Sequence, residues 1–226
     1  MGSSRPSDEF ANNTVAAWVV VAFLGGLEMK LYYRPKTSGR PMRAAWLLEE
    51  LGADYETVAI EDTDSNEHHE RSPLGRVPVL EFDDGTMLFD STAILFALAD
   101  RYPEAGFLAP LGTRERDLAY QWSLTAMTEL EKAAIGYLMR EDDDSHELYR
   151  SVAAAFSGAL EGRKFLVGDS LTVADIVTTG VLFVSERSNF VSEESPPALQ
   201  AYFARLSARP ALARAAERVE SVFQTA

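Results

Sequence analysis

The chain has 226 residues, 46% of them hydrophobic and 25% charged, which is the composition of a folded globular protein able to bury one large domain or two small ones. Its 35 acidic residues against 21 basic ones leave a net charge of −14. A surface of that sign repels nucleic-acid phosphates and anionic lipid, so neither is expected as a partner, although a small anion can still bind where local cations and backbone amides gather. There is no cysteine, which excludes disulfides, zinc–thiolate sites and thiol catalysis by the chain itself, and fits a cytoplasmic location.

Residues 1–28 carry an apolar run, Val15 to Leu27, that is shorter than the roughly 20 residues a membrane-spanning helix needs. Only Arg5 precedes it, and no small-residue cleavage site follows. It reads as an extension outside the core fold, with a membrane-association or packing role as the alternative, and the folded unit is expected to begin at Met29.

Lys30 to Tyr33 reads as a strand ended before Pro35, because proline cannot donate to a ladder. Pro41 then opens a helix in which Ala44, Leu47, Leu48 and Leu51 recur at helical spacing, with Gly52 as the stop. Tyr55 to Ile60 alternates as a second strand, and this β-α-β opening favours a parallel pair. Residues 61–76 are polar and read as a connecting segment. Two short strands follow, Val79 to Phe82 and Met87 to Phe89, joined by an Asp84-Gly85 hairpin turn, and then a helix from Ser91 to Arg101.

Tyr102 to Gly112 is rich in proline and glycine and reads as a linker. Beyond it only helical patterns appear: 113–141, 146–160, 173–187, 197–207 and 211–223. The acidic run from Glu141 to Asp144 is expected to separate the first two as a solvated loop. Thr172-Val173-Ala174-Asp175 has the form of a capping box with Asp in place of Glu or Gln, and Leu171 and Ile176 stand at the hydrophobic-staple positions. Thr172 and Asp175 are therefore assigned to folding. The fold expected is a β-α-β, β-β-α unit over residues 29–102, a linker at 103–112, and an all-helical domain over 113–226. His68, His69 and His146 lie in no helical metal-binding spacing; they read as solvated surface residues, and no metal site is expected.

Three features of the first half could form a ligand site. Val77-Pro78, preceded by Arg76, reads either as a plain strand-initiating proline or as a tight turn that leaves the Val77 backbone free to pair with an extended peptide. Asp90-Ser91 reads as a helix cap, with Ser91 as N-cap, or as a site where helix N–H groups take a carboxylate and Asp90 takes an ammonium group. The loop from Arg34 to Arg40 carries cations and the hydroxyls of Thr37 and Ser38, which cap the helix or donate to a bound thiolate and favour its ionised form.

The segments LYYRPKTSGRPMRAAWLLEELG, SPLGRVPVLEFDDGTMLFDSTAIL and LTVADI together resemble the cytosolic glutathione transferases over residues 29–221. That resemblance implies a thioredoxin-like N-terminal domain followed by an all-α C-terminal helical domain, usually as a homodimer. It implies that Val77, before Pro78, pairs by its backbone with the cysteinyl part of glutathione. Asp90 and Ser91 would hold the γ-glutamyl end, with Asp where Glu is commoner, and Arg76 the glycyl end. It also implies a hydroxyl near the first strand that stabilises the glutathione thiolate for attack on a small hydrophobic electrophile, a detoxification chemistry. Ser38 is the first candidate, Thr37 the second and Tyr33 the third, and the absence of cysteine argues against the thiol-exchange branches of the family. Tyr120, Trp122 and Met127 are candidates for the second-substrate pocket, with ordinary helix packing as the alternative. The competing functions are a non-catalytic interaction module and a glutathione-dependent isomerase, peroxidase or dehalogenase.

Overall fold

The computed structural model describes residues 29–36, 39–140, 143–186 and 195–220. The expected extension over residues 1–28 lies outside them. Four strands, β1 (Met29–Tyr33), β2 (Tyr55–Ala59), β3 (Val79–Glu81) and β4 (Met87–Phe89), form one sheet in the order β2-β1-β3-β4. β1 runs parallel to β2 and antiparallel to β3, and β3 runs antiparallel to β4. The parallel pair is crossed by helix α1 (Arg40–Leu51), as a β-α-β pattern requires.

Met29, Leu31 and Tyr33 alternate with Lys30 and Tyr32 along β1, and the first three join the hydrophobic core. Helix α1 starts at Gly39 without a side-chain cap but with Pro41 in its first turn, and it ends at Gly52, whose φ of 62° lets its N–H turn back to the last carbonyls. Its residues Pro41 to Leu48 are all buried, because helices from the second half cover the side that the sheet does not. The segment read as a polar connection contains a further helix, α2 (Asn66–Arg71), capped by Ser65, whose Oγ accepts from the His68 N–H. Six residues are too few for a periodic apolar pattern to show, which is why the sequence concealed it. Helix α3 (Ser91–Arg101) follows β4.

The segment 102–112 contains a short 3-10 turn (Pro103–Ala105), and its Phe107 and Leu108 are buried, with the Phe107 carbonyl accepting from the Val173 N–H. The helical half then runs through α4 (Arg114–Thr125), a π-helical turn (Ala126–Leu130), α5 (Glu131–Arg140), α6 (Asp143–Ala159), α7 (Val173–Glu186), α8 (Pro197–Ser207) and α9 (Pro210–Arg218). Asp143 and Asp144, expected in a loop, instead form the first turn of α6, where carboxylates favour the positive helix end; Glu141 and Asp142 lie outside the described residues.

Helix α7 is the hub, packing against α4, α5 and also α1 and α3 of the first half. At its start the Asp175 carboxylate, fully buried, accepts from Thr172 N–H and Oγ1–H at 2.9 and 2.8 Å, from Leu166 N–H at 2.9 Å and from the Tyr202 hydroxyl at 3.0 Å. The half of the capping box in which Asp175 reaches back to the Thr172 N–H is formed, while the Thr172 hydroxyl donates to the same carboxylate instead of accepting from the Asp175 N–H, and the Asp175 side chain also ties in the preceding loop and α8. Leu171 and Ile176 are both buried beside it. Burial raises the Asp175 pKa, with the hydrogen bonds opposing that shift.

The two halves are joined by α9 lying along α1 and by ion pairs. Arg209 grips Glu50 through Nε and Nη2 at 2.6 and 2.8 Å, Arg214 and Arg218 hold Glu49, and Arg116 forks onto Asp100. Arg43, on α1, is buried against Gly180 of α7, where any added Cβ would stand 2.3 Å from its Nε.

Candidate functional site

The sheet register brings the separated motifs to one end. Val79 pairs with Tyr32 on one side and with Phe89 on the other, in antiparallel sense. Val77-Pro78 therefore enters β3 where Asp90-Ser91 leaves β4 and where Tyr33 ends β1. The loop from Arg34 to Gly39 begins at this same end, but Thr37 and Ser38, the first two hydroxyl candidates, lie outside the described residues.

Asp90, not Ser91, is the N-cap of α3. Its φ of 73° is left-handed, which a short polar side chain tolerates best among non-glycine residues. This backbone turns the Asp90 side chain over the helix end, so that Oδ1 accepts from Thr92 N–H at 2.9 Å and Ala93 N–H at 3.1 Å, while the Asp90 carbonyl takes Ile94 N–H. Ser91 is displaced to the first helical position. Its N–H has no partner among the described residues, and its buried Oγ has none either. A buried hydroxyl without a partner costs about 1–3 kcal/mol. Asp90 is exposed, and its Oδ2 is not used by the cap. The end of α3 thus offers one N–H, one hydroxyl and one carboxylate oxygen, a set suited to the carboxylate and ammonium of an amino acid.

The Val77–Pro78 peptide bond is cis, the turn form of the two sequence alternatives. Pro78 is buried, Val77 half-buried and Arg76 exposed. The β3 ladder begins only at Val79, so the Val77 backbone lies beyond it and free of the sheet. The Arg76 backbone, by contrast, is held: its N–H donates to Ser72 Oγ at 3.0 Å and its carbonyl stands 3.2 Å from His68 Nε2. His68 is therefore not the solvated residue expected. It is 1% exposed, because α2 turns it inward beneath this loop, while its neighbour His69 is exposed beside Pro73. An i, i+4 spacing from His68 to Ser72 was the available signal, hidden by the surrounding charges.

Tyr33 is buried, and its hydroxyl donates to Glu220 Oε1 at 2.9 Å; burial and that carboxylate raise its pKa. The Glu220 carbonyl also accepts from Lys36 N–H at 3.1 Å, so the segment after α9 holds both ends of the described part of this loop. Beneath the α3 end, Arg43 is charged at neutral pH: burial lowers its pKa to about 10, and Glu131, 3.3 Å away, opposes that shift. Arg40 pairs with the other oxygen of Glu131 at 2.6 Å.

The three second-substrate candidates take different neighbours. Met127 Sδ accepts from Arg43 Nη1 at 3.0 Å, and the Tyr120 ring meets Phe96 edge-on while its hydroxyl accepts from Arg116 Nε at 2.7 Å. Both thus face the first half, whereas Trp122 packs on Phe156 within the helical half. A cleft of about 370 Å³ lies elsewhere, between Tyr32, Ile60, Ser65 and Arg71. Among the described residues no group of three or more His, Asp or Glu side chains is placed to hold a metal ion, and no helix is long and apolar enough to cross a membrane.

A cis-proline turn beside a capped helix end, at one end of the strands of a β2-β1-β3-β4 sheet with a helical half packed behind it, defines the class that the sequence resembles. Family models agree: residues 36–106 match the glutathione S-transferase N-terminal domain and residues 125–210 the glutathione S-transferase C-terminal domain. A glutathione transferase structure from Methylococcus capsulatus superposes with a TM-score of 0.72 at 30% identity, covering 84% of this chain and 97% of that one. Maleylacetoacetate isomerase from Pseudomonas aeruginosa is 30% identical over 177 residues, 70% of this chain and 82% of its own. A Pseudomonas putida glutathione transferase solved with one glutathione disulfide bound per subunit shares the fold, with a TM-score of 0.72 at 22% identity over 83% of this chain and 90% of that one. The chain belongs to the glutathione S-transferase family, with a thioredoxin-like N-terminal part and a helical C-terminal part.

Proposed function

We propose that this protein is a glutathione transferase that binds glutathione at the sheet end described above and activates its thiol for attack on small hydrophobic electrophiles. The observation that carries the reading is the register. It sets a free Val77 backbone beside the unpaired N–H and hydroxyl of Ser91 and the free carboxylate oxygen of Asp90. In this reading Val77 pairs with the cysteinyl unit next to Pro78, Asp90 and Ser91 take the γ-glutamyl ammonium and carboxylate, and exposed Arg76 takes the glycyl carboxylate. The buried cation of Arg43 favours an anionic ligand at the α3 end.

The activating hydroxyl is Ser38, then Thr37, then Tyr33. The order is supported by the geometry of Tyr33, whose proton is directed to Glu220. Tyr120 and Met127, at the boundary of the two halves, are better placed than Trp122 to reach a second substrate held over the thiol. The protein acts in the cytoplasm as a homodimer; in support, edge strand β4 exposes Met87 and Phe89, an unpaired apolar margin that a second copy would cover. Maleylacetoacetate isomerase among the relatives favours one second reading, a glutathione-dependent isomerase, which uses the same thiol site.

Calorimetric titration with glutathione, comparing the natural chain with Ser91→Ala, tests the site. Binding that is absent, or unchanged by the substitution, rejects it. Turnover of a generic aromatic electrophile by Ser38→Ala, Thr37→Ala and Tyr33→Phe tests the chemistry, and three unimpaired variants would sink the hydroxyl mechanism.

A further inference from the structure

Helix α2 takes no direct part in the site, yet two buried polar groups, His68 on the helix and Ser72 at its C-cap, hold the backbone of one residue, Arg76, through its N–H and its carbonyl. The Arg76 N–H donates to Ser72 Oγ at 3.0 Å, and the Arg76 carbonyl stands 3.2 Å from His68 Nε2. Since a carbonyl can only accept, that ring nitrogen carries the proton and donates. His68 and Ser72 are 1% and 0% exposed, and they are themselves fixed: His68 N–H by Ser65 Oγ, and Ser72 N–H by the His68 carbonyl at 2.8 Å. Gly75, at φ 59°, leaves no room for a side chain, as a Cβ there would stand 2.9 Å from the Thr63 carbonyl and 3.2 Å from the His69 ring, so the loop packs closely on α2 and the residues before it.

The consequence lies in the next amide. Among the described residues the cis bond is Val77–Pro78; the Arg76–Val77 peptide is trans and planar, so the Val77 N–H points opposite to the Arg76 carbonyl. Whatever holds the Arg76 carbonyl against α2 therefore aims the Val77 N–H away from α2. The other ring nitrogen sharpens the argument. With Nε2 protonated, Nδ1 is a bare acceptor, and it is buried with no partner. A histidine that served only to fill space would be outdone by an apolar side chain without that defect. We infer that His68, supported by Ser72, is a positioning residue that orients the Val77 amide for pairing with a peptide ligand. This rests on the glutathione-binding reading, with glutathione's cysteinyl unit as the pairing partner.

The experiment uses the full chain with His68→Leu, which keeps apolar bulk and loses the donor, and His68→Gln, whose side-chain amide can donate from a comparable reach. Calorimetry with glutathione is expected to show a Kd about three- to tenfold higher for His68→Leu, the scale of one net hydrogen bond, and a value within about twofold of the natural chain for His68→Gln. The melting temperature of the Leu variant is expected to be unchanged or raised, which separates orientation from general loss of structure. Equal affinity in the natural chain and a folded Leu variant overturns the inference. If the natural chain binds no glutathione, the functional reading fails, and hydrogen exchange at the Val77 amide decides the inference alone: faster in the Leu variant and restored by Gln supports it, while no change rejects it. Should the Leu variant not fold, Ser72→Ala removes the other half of the clamp and is read in the same way.

Discussion

Helices α3 and α7 each have, at the N-cap or in the first turn, an aspartate that accepts backbone N–H groups, and their surroundings could hardly differ more. At α7 the Asp175 carboxylate is buried and receives four donors from three residues, Leu166, Thr172 and Tyr202. At α3 the Asp90 carboxylate is exposed, one oxygen caps two amides, and the adjacent Ser91 keeps a buried hydroxyl with no partner. The first end is closed on itself and lowers the free energy of the fold. The second leaves polar capacity unspent, which weakens the free protein slightly and suits a ligand that completes it. Asp90 caps α3 from just outside the helix and Asp175 ties α7 from its third residue, and the difference between the two ends is whether the hydrogen-bond set is complete within the protein.

The largest expected effect tests the closed end. Asp175→Ala strips the partner from the Leu166 and Thr172 amides and from the Tyr202 hydroxyl, and is expected to destabilise the protein by about 3–5 kcal/mol in urea unfolding. A loss below about 1 kcal/mol would mean the network is ornamental. At the open end, Asp90→Asn keeps an oxygen for the cap and tolerates the left-handed backbone, so stability should move by less than about 0.5 kcal/mol. Glutathione affinity should fall roughly tenfold, because a charge-assisted bond to the ammonium becomes neutral. A loss of stability without loss of affinity would make α3 a second α7.

A smaller and more telling effect belongs to Ser91→Ala. Removing an unsatisfied buried hydroxyl should leave the free protein as stable or slightly more so, while glutathione affinity drops about three- to tenfold in the same titration. The smallest concerns the α1–α9 contact that holds both ends in one body. Burial pushes the Glu50 pKa up, but Arg209, Trp46 and Arg214 outweigh it, and the net shift is downward. A depressed carboxylate contributes stability that is present above its unfolded pKa and lost as pH falls through the folded one. Acid unfolding of the natural chain followed by fluorescence should therefore show a component below about pH 4.5 that is absent in Glu50→Gln; a coincident pair of curves would show that the Arg209 pair contributes nothing.

Much of this was legible in the sequence because it is written in local chemistry. Pro41 and Gly52 bracket α1, Asp84-Gly85 joins β3 to β4, and Thr172 to Asp175 spell a cap; each acts through neighbours within a few residues, so order alone reveals it. The family and its two-part fold followed from three such segments. What the sequence could not decide is which polar groups are left over. By residue type Ser91 is the expected cap and Asp90 its neighbour; the left-handed turn at Asp90 reverses them, and it depends on how β4 delivers the chain into α3. The charged residues around His68 in the chain suggest a solvated side chain, whereas the six-residue helix that carries it is oriented by the sheet it packs on. Met127 and Arg43 stand 84 positions apart in the chain and meet only where the halves dock. Sequence determines which hydrogen-bonding groups exist and which local turns they favour. Tertiary packing decides which of them find partners inside the protein and which remain for a ligand, because that depends on contacts between segments far apart in the chain.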